Sequence, residues 1–444
     1  MKHILLLGGG KSSTVLMNYL LERAGEEQWQ LTIGDMQPEL IRSKTKDSTR
    51  ATVVQFNLSD AAQLQSLVKQ ADLVISMLPA MFHPLVAKEC LRQGRNMVTA
   101  SYVSDDMRTM AKDVEAAGLL FLNEMGVDPG IDHMSAMKVI DEIRAKGGKM
   151  TAFESFTGGL LAPESEKDNP WRYKFTWNPR NVVLAGQGVA KFIQMGQYKY
   201  IPYHRLFRRT ELINIPGYGM FEGYGNRDSL GYREQYGLQD VHTMYRGTLR
   251  RPGFCRSWDV FVSLGATDDS YIIQESETMT YRQFINSFLA YHPTDSVELK
   301  LAHYLRLDLD SEEMYKLQWL GIFDDKPIGL KNATPAQILQ KILEDKWSLE
   351  PDDKDMLVMW HKFNYELEGR QHEKHSFMVS IGKDTLETAM ATTVGLPVGI
   401  AVKMILQGRM PLVGVHIPTI KAVYEPLLEE LGHHGISFIE RDVQ

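Results

Sequence analysis

The chain has 444 residues, 43% of them hydrophobic and 24% charged, and this length exceeds one hydrophobic core and suits two or three domains. Its formal net charge of −7 argues against general nucleic-acid binding, which requires a basic surface, so an anionic ligand would need a local basic pocket. The two cysteines, Cys90 and Cys255, provide neither a disulfide framework nor a ligand set for zinc, which predicts no metal site and a reducing cytoplasmic location.

The first 125 residues alternate short apolar runs with helical patterns, which is typical of a doubly wound parallel sheet. The predicted strands are His3–Leu7, Leu31–Asp35, Val53–Phe56, Leu73–Ser76, Asn96–Thr99 and Leu119–Asn123. The predicted helices between them are Ser12–Ala24, Ala61–Ala71, Pro84–Arg92 and Asp105–Ala117. Six strands joined by crossovers of this length predict an α/β domain of the Rossmann dinucleotide-binding type over residues 1–125.

The glycine run after the first strand, GGGKSS, predicts a dinucleotide-binding turn. Gly8 and Gly10 would let the backbone approach a pyrophosphate at the helix N-terminus, and Ser13 is small enough for close helix–strand packing. A glycine run alone is weak and fits a bare turn equally well, but its place between the first strand and the first helix favours dinucleotide binding.

The ends of the second and fourth strands supply further candidate cofactor contacts. Asp35, followed by Met36, lies where a carboxylate accepts hydrogen bonds from the hydroxyls of the adenosine ribose. A solvated strand-end carboxylate is the alternative. Ser76, Leu78 and Pro79 follow the fourth strand at the carboxyl edge of the sheet, where open α/β sheets bind ligands.

Residues 123–134, NEMGVDPGIDHM, follow the sixth strand and contain candidate catalytic groups. In the structural interpretation, Asp128 caps a helix that begins near Pro129, and His133 is an ordinary helical residue. In the functional interpretation, the turn emerges at the carboxyl edge beside the nicotinamide. For His133 alone we favour the structural interpretation.

Beyond residue 125 the pattern changes to that of a second, mixed domain. A helix is predicted at Ile131–Lys146 and a strand at Met150–Thr157, and apolar residues recur at helical spacing between residues 275 and 375. A later apolar helix is interrupted by Pro397 and Lys403, so no membrane span is expected. The expected division is an α/β substrate-binding domain over 126–274 and 376–394, a mostly helical domain over 275–375, and a return to the Rossmann domain over about 395–444.

Basic and aromatic side chains concentrate in this second region of an acidic protein, which predicts a pocket for carboxylates. The segment NPWRYKFTWNPR contains Lys174, and two glycine-rich segments contain Arg227 and Arg246. Each cation alone fits an ordinary surface charge. As a group they are candidate ligands, because a guanidinium matches a carboxylate in bidentate geometry.

Seven segments in matching order resemble the saccharopine dehydrogenase family of the glutamate-forming kind. They are NMVTASY, GVDPGIDHM, GGLLAPE, NPWRYKFTWNPR, GYGNRDS, YRGTLR and AMATTVGLPVGIAVKMIL. The likeness covers nearly the whole chain and is strongest to the dehydrogenase half of the bifunctional lysine-degrading enzyme of animals. Seven ordered segments are far more specific than a glycine turn.

The resemblance implies a three-domain homodimeric enzyme that uses NAD or NADP to convert saccharopine into L-glutamate and 2-aminoadipate 6-semialdehyde. It implies cofactor contacts at Gly8, Gly10, Lys11, Ser12, Ser13, Leu78, Pro79, Val127, Asp128 and Pro129. It implies substrate contacts at Ser101, Tyr102, Asp128, Thr157, Asn226, Arg227, Asp228 and Ser229, beside Lys174 and Arg246. Asp128 would meet the substrate amine, with Tyr102 and His133 as candidate proton relays.

The chain departs from the family at Thr157, where the family usually has a cysteine, and a threonine cannot act as a thiolate. Two alternatives therefore stay open. One is another imine reductase on this scaffold, of the carboxynorspermidine or homospermidine type, for which a pocket rich in arginine is unsuitable. The other is a non-catalytic dinucleotide-binding sensor.

Cofactor choice depends on Asp35, because a 2′-phosphate beside its carboxylate would be repelled. The nearest downstream cations, Arg42, Lys44 and Lys46, follow a turn at Pro38 and would have to fold back to offset this charge. The sequence therefore predicts NAD over NADP. The expected partners are small molecules, with no nucleic acid and no membrane.

Overall fold

The computed structural model describes residues 1–46 and 48–443. These residues form two units. The first holds Met1–Lys149 and Met378–Ile439, and the second holds Met150–Phe377 together with the residues from Glu440 onward.

The secondary structure is numbered in chain order. The strands are β1 (Lys2–Leu7), β2 (Trp29–Asp35), β3 (Ala51–Gln55), β4 (Leu73–Ser76), β5 (Asn96–Thr99), β6 (Leu120–Leu122), β7 (Lys149–Leu161), β8 (Val189–Gln194), β9 (Gln197–Pro202), β10 (Thr210–Ile215), β11 (Gly219–Gly225), β12 (Thr243–Arg250), β13 (Asp355–Leu367), β14 (Arg370–Ile381), β15 (Gly414–His416) and β16 (Ile439–Val443). The helices are α1 (Thr14–Arg23), α2 (Pro38–Thr45), α3 (Ala61–Gln70), α4 (His83–Gln93), α5 (Asp105–Thr109), α6 (Ala111–Ala116), α7 (Ile131–Ala145), α8 (Pro179–Val183), α9 (Tyr203–Leu206), α10 (Phe254–Leu264), α11 (Tyr281–Asn286), α12 (Val297–Leu305), α13 (Glu312–Trp319), α14 (Pro335–Trp347), α15 (Ala389–Leu406) and α16 (Lys421–His433).

The first unit contains the predicted Rossmann-type parallel sheet, which is confirmed. Within the described ranges its strand order is β15-β6-β5-β4-β1-β2-β3, and each neighbouring pair is parallel. The order reverses between β1 and β4, so the residues after these two strands flank the crevice in which such sheets bind ligands. Residues 4–7 of β1 and all of β4 are buried, as expected when helices cover both faces of a parallel sheet.

Two elements of this unit were not predicted. Helix α2 follows β2 after two residues, with Pro38 in its first turn, and is short, with Leu40 exposed and Ile41 buried. Strand β15 is three residues long and extends the sheet beyond β6. The predicted helix over Asp105–Ala117 is divided into α5 and α6.

Helix α15 packs directly against α1, the helix that follows the glycine run. A Cβ atom on Gly395 would lie 2.8 Å from the backbone nitrogen of Leu16, and one on Gly399 would lie 2.6 Å from the Tyr19 ring. Among the described helices, α15 alone is long and apolar enough to cross a membrane, and 67% of it is buried inside the structure. The core packing accounts for its apolar sequence.

The second unit is built on a mixed sheet with the strand order β10-β11-β12-β7-β13-β14-β16 across the described residues, and β8 and β9 extend from β12. Strand β12 is parallel to β7 and antiparallel to β11. An aromatic core lies in this unit, where the rings of Phe254, Trp258 and Trp347 stack with centroids 5.9 to 6.0 Å apart. Burying large rings supplies much of the stabilisation of such a core.

The prediction of a mostly helical region over 275–375 is wrong beyond Trp347. The helices end with α14, and β13 and β14 then form two long strands of the mixed sheet. The first seven residues of β13 are all buried, so the strand lacks the alternation that identifies a half-buried strand. The predicted division also differs at residues 126–149 and 378–394, because both stretches lie in the first unit and not in the substrate-binding one.

Candidate active site

The turn after β1 has the geometry that a bound pyrophosphate requires. Gly8 has φ +96°, and a Cβ atom there would lie 2.8 Å from the backbone carbonyl of Met77, so a side chain is excluded. A Cβ atom on Gly10 would meet nothing within 4 Å, which leaves open space above the turn. The Ser13 hydroxyl donates to the Gly8 carbonyl over 3.0 Å and fixes the turn. The residues present therefore fit a dinucleotide, with Lys11 exposed and Ser12 half-buried at the edge of the turn.

Asp35 contacts the protein backbone with both carboxylate oxygens. Its Oδ2 accepts the N–H of Gly9 over 2.7 Å, and its Oδ1 accepts the N–H of Gln37 over 2.9 Å. The neighbouring Met36 side chain is 74% exposed. The carboxylate that was predicted to bind ribose hydroxyls thus also stabilises the glycine turn.

Lys44 folds back onto the same turn because α2 follows β2 almost immediately. Its Nζ atom donates to the carbonyls of Gly9 and Gly10, over 2.9 Å in each case. Burial lowers the pKa of the Lys44 ammonium, the charge of Asp35 opposes this change, and that of Lys11 adds to it. Of the three cations that would have to fold back toward Asp35, Lys44 therefore does so.

The residues after β4 lie beside the turn after β1. Leu7 and Ser76 are paired in the parallel register, and the N–H of Met77 donates to the Leu7 carbonyl over 2.8 Å. Leu78 is half-buried and Pro79 is exposed, as cofactor contacts require. Ser76 is fully buried, and its hydroxyl lies 2.8 Å from Nδ1 of His83. Its side chain is therefore engaged inside the domain, and only its backbone position supports the predicted cofactor contact.

A tyrosine and a carboxylate meet at the carboxyl ends of β5 and β6. The Tyr102 hydroxyl donates to Oδ1 of Asp128 over 3.2 Å, and both residues are half-buried. The preceding Ser101 has its hydroxyl 2.7 Å from Nε2 of His83. The structure thus brings together three residues, Ser101, Tyr102 and Asp128, that were predicted to contact substrate.

The turn that contains Asp128 differs from the capping arrangement that its sequence suggests. Helix α7 begins at Ile131, and the N–H of Gly130 donates to Oδ1 of Asp132 over 2.6 Å. Gly130 has φ +148°, and a Cβ atom there would lie 2.0 Å from the Gly126 carbonyl oxygen. The interpretation of Asp128 as the cap of this helix is therefore wrong. Its carboxylate is directed instead to Tyr102.

His133 is fully buried, with both ring nitrogens near carboxylates. Its Nε2 atom lies 2.7 Å from Glu124 Oε2, and its Nδ1 atom lies 3.5 Å from Asp132 Oδ2. Glu124 also accepts the N–H of Val103 over 3.0 Å. This full burial favours the structural interpretation of His133, and its role as a proton relay stays a prediction. His133 joins the turn that carries Asp128 to the segment that carries Tyr102.

In the second unit, the segment Asn226–Ser229 is held between two strands. The N–H of Asn226 donates to the Arg246 carbonyl over 3.0 Å, and the Ser229 hydroxyl accepts the Arg246 N–H over 3.0 Å. On the other side, Arg227 and Ser229 exchange backbone hydrogen bonds with Lys191 of β8, both 2.8 Å long. Arg227 has φ +51° and is exposed together with Asp228. The structure therefore holds this predicted substrate segment beside Arg246.

One face of the mixed sheet brings Arg246 and Thr157 together. Arg246 pairs with Ser155 and Thr248 pairs with Thr157 across β12 and β7, and paired residues in a sheet share a face. The Arg246 guanidinium lies 4.3 Å from the centroid of the Tyr232 ring and is 7% exposed as a residue. The hydroxyl oxygen of Thr157 is buried and makes no hydrogen bond to the described residues. This face therefore has the buried guanidinium of Arg246 beside a buried Thr157 hydroxyl that has no hydrogen bond to the described residues.

Lys174 has a partner inside the protein. Its Nζ atom lies 2.6 Å from Oδ2 of Asp353, and both side chains are buried. Moving the ammonium to a substrate carboxylate would leave Asp353 buried and uncompensated, which is costly. The prediction of Lys174 as a carboxylate ligand is therefore corrected to a structural ion pair.

Sequence reasoning did not identify His83, Glu124 or Tyr232 as site residues. His83 follows the fourth strand in SMLPAMFHP, and its position near a predicted carboxyl edge was the available signal. Glu124 follows the sixth strand directly, and Tyr232 follows the segment GNRDSLG. The contacts of His83 with Ser101 and of Tyr232 with Arg246 depend on tertiary packing, which spacing alone could not reveal, whereas Glu124 and His133 lie within one short segment.

A parallel sheet that reverses order at a glycine turn defines a protein of the Rossmann dinucleotide-binding class. The family profile described as the saccharopine dehydrogenase NADP binding domain matches residues 4–122. The profile described as the saccharopine dehydrogenase C-terminal domain matches residues 126–436. The chain belongs to the saccharopine dehydrogenase family.

Individual relatives agree with this assignment. The chain is 36% identical over 446 residues to the rat mitochondrial alpha-aminoadipic semialdehyde synthase, which covers 98% of the chain and 47% of that protein. It is 32% identical over 450 residues to the NADP(+), L-glutamate-forming saccharopine dehydrogenase of Saccharomyces cerevisiae, which covers 100% of the chain and 99% of that protein. The chain thus spans about half the length of the mammalian relatives that it matches and nearly all of the yeast one.

A solved structure extends the likeness to the fold. The apo saccharopine dehydrogenase (L-Glu forming) from Saccharomyces cerevisiae superposes with a TM-score of 0.89 at 30% identity. The match covers 100% of both chains.

Proposed function

We propose that the chain oxidises saccharopine at its CH–NH group, giving L-glutamate and 2-aminoadipate 6-semialdehyde with a reduced nicotinamide cofactor. The observation that carries this proposal is the hydrogen bond between Tyr102 and Asp128 at the carboxyl edge of the dinucleotide-binding sheet. The full-length likeness to the yeast protein named for this reaction supports it.

The proposed role of Asp128 is to accept protons. The nicotinamide, when bound, supplies the hydride acceptor. The substrate amine must lose a proton as its carbon is oxidised, and water must lose protons as it hydrolyses the resulting imine. Tyr102 donates to one oxygen of the Asp128 carboxylate, and this carboxylate is the proposed acceptor of both protons. The proton released over the whole reaction leaves to solvent.

The proposed role of the second unit is to bind carboxylates, of which saccharopine has three. Arg246 is shielded from solvent and shares its face with Thr157, whereas Arg227 is exposed at the adjacent segment. A shielded guanidinium binds a carboxylate more strongly than an exposed one, because solvent screens it less. Thr157 can donate one hydrogen bond, so proton transfer is assigned to Asp128 and not to residue 157.

We expect the purified protein to form reduced cofactor when it is given saccharopine and an oxidised nicotinamide dinucleotide. The measurement is the steady-state absorbance of the reduced nicotinamide, with carboxynorspermidine in a parallel reaction. Turnover with carboxynorspermidine alone would favour a polyamine enzyme. Dinucleotide binding without turnover on either compound would favour the sensor.

For the cofactor, we propose a preference for NADP over NAD, contrary to the expectation from Asp35. The fungal relatives are named for NADP(+). The Asp35 carboxylate already accepts two backbone N–H groups, and Lys44 lies against the same turn. A cation there would offset the repulsion between Asp35 and a 2′-phosphate.

The variant Lys44→Ala is expected to lower kcat/KM with NADP by roughly tenfold to a hundredfold, as expected for one hydrogen bond to a charged group, and to change kcat/KM with NAD much less. The exposed Lys46→Ala, two residues away, is the matched control. Equal losses with both cofactors would mean that Lys44 only supports the turn. The homodimer and the cytoplasmic location remain predictions.

A further inference from the structure

Three hydroxyl groups surround the imidazole of His83 at the carboxyl ends of β4 and β5. Ser76 Oγ lies 2.8 Å from Nδ1, Ser101 Oγ lies 2.7 Å from Nε2, and Thr99 Oγ1 lies 3.4 Å from Nε2. Ser76, His83 and Thr99 are buried, whereas Ser101 is partly exposed. The imidazole therefore connects the interior of the first unit to a residue at the edge of the site.

His83 is held in its neutral form. Burial lowers the pKa of its imidazole to about 4. The residue also begins α4, and the positive end of a helix dipole disfavours a second positive charge. A neutral imidazole has one N–H donor and one acceptor nitrogen, so the hydroxyl group at Nδ1 and those at Nε2 must bond with opposite sense.

The main chain around Ser101 is fixed by two hydrogen bonds of its own backbone groups. Its N–H donates to Thr99 Oγ1 over 3.3 Å, and its carbonyl accepts the N–H of Glu124 over 3.0 Å. With the main chain fixed, the Ser101 side chain can still rotate, and its hydrogen bond to Nε2 of His83 restricts this rotation. A hydroxyl with a fixed direction binds a ligand with less entropic cost than a freely rotating one.

We propose that His83 is a positioning residue that fixes the direction of the Ser101 hydroxyl toward the substrate. This inference rests on the proposed function insofar as Ser101 contacts saccharopine. The hydrogen-bond network joins three side chains. The buried Ser76 orients the imidazole of His83, and the imidazole orients the partly exposed Ser101.

Two substitutions of His83 distinguish its hydrogen bond to Ser76 from its hydrogen bond to Ser101. The amide of an asparagine can reach where Nδ1 of His83 lies, and the longer glutamine can reach where Nε2 lies. We expect His83→Asn to raise the KM for saccharopine about tenfold, the loss typical of one hydrogen bond in a binding site, and His83→Gln to retain most of the affinity. kcat and the KM for the cofactor should change little in either variant.

Ser101→Ala gives the second comparison. It should raise the KM for saccharopine by a similar factor, and His83→Asn combined with Ser101→Ala should be no worse than Ser101→Ala alone, because residues that act through one contact are not additive. The exposed His303→Asn, on α12, is the matched control and should equal the unmodified protein. The Tm of every variant is measured alongside.

Several results would overturn the proposal. These are an unchanged KM in His83→Asn, full additivity with Ser101→Ala, or equal impairment of the Asn and Gln variants together with a lowered Tm. The last result would assign His83 to packing alone.

A spectroscopic measurement tests the network without turnover. In protein with 15N-labelled histidine, Ser101→Ala should shift the Nε2 resonance of His83, while His303→Asn should leave it in place. An unchanged His83 resonance would overturn the proposal. If the unmodified protein fails to oxidise saccharopine but this shift is seen, the proposed function fails and the positioning of Ser101 by His83 stands.

Discussion

Replacing Asp128 with asparagine is expected to lower kcat with saccharopine by roughly 10²–10⁴-fold, the range for loss of a general acid or base. Asparagine keeps the shape of the side chain and can still accept the hydrogen bond of Tyr102, but it cannot take a proton. The KM for saccharopine and the affinity for the dinucleotide should therefore change much less than kcat. Steady-state kinetics and fluorescence titration with the reduced cofactor measure the two effects.

The exposed Asp113→Asn, in α6 of the same unit, is the control for a changed carboxylate elsewhere. Retention of more than about a tenth of the normal kcat in Asp128→Asn would contradict the assignment of Asp128. Tyr102 would then be the next residue to test.

Replacing Arg246 with alanine is expected to weaken saccharopine binding by about 2–5 kcal/mol, as observed when one partner of a shielded charge pair is removed. Arg246 is buried over the Tyr232 ring, so its charge is little screened by solvent. Arg246→Lys should recover only part of the loss, because an ammonium cannot form the bidentate contact of a guanidinium. The measurement is the KM for saccharopine at saturating cofactor.

The exposed Arg256→Ala, in α10 of the same unit, is the matched control for removing a guanidinium. Cofactor affinity should be unchanged in both variants. A parallel loss of cofactor affinity and of Tm in Arg246→Ala would show that Arg246 stabilises the fold and does not bind the substrate.

The parallel sheet of the first unit could be predicted because its strands are continuous apolar runs, which a sheet covered on both faces requires. The same property misled the prediction at β13, where a run of buried residues follows a charged helical region without alternation. Helix α2 was missed because it is short and its apolar residues Leu40 and Ile41 are adjacent, so it has little apolar periodicity.

The candidate site could be predicted as a set of residues but not as a set of contacts. Asp128 and Tyr102 were expected near the substrate, and the structure joins them across 26 positions of sequence. Lys174 and His133 also lie in conspicuous segments, but their side chains contact Asp353 and Glu124 inside the protein. A sequence pattern does not reveal whether a charged group already has a buried partner, because that depends on tertiary packing.

The contact between α1 and α15 also has a consequence for the order in which the protein can fold during its synthesis. Helix α1 follows the glycine turn near the start of the chain, but the helix that packs against it begins at Ala389. At roughly 5–20 residues per second, the ribosome reaches α15 on the order of tens of seconds after it completes β6. Until then the apolar surface of α1 that α15 covers is exposed. The nascent dinucleotide-binding unit therefore cannot complete its packing, and chaperones can bind it, until its last helices have emerged.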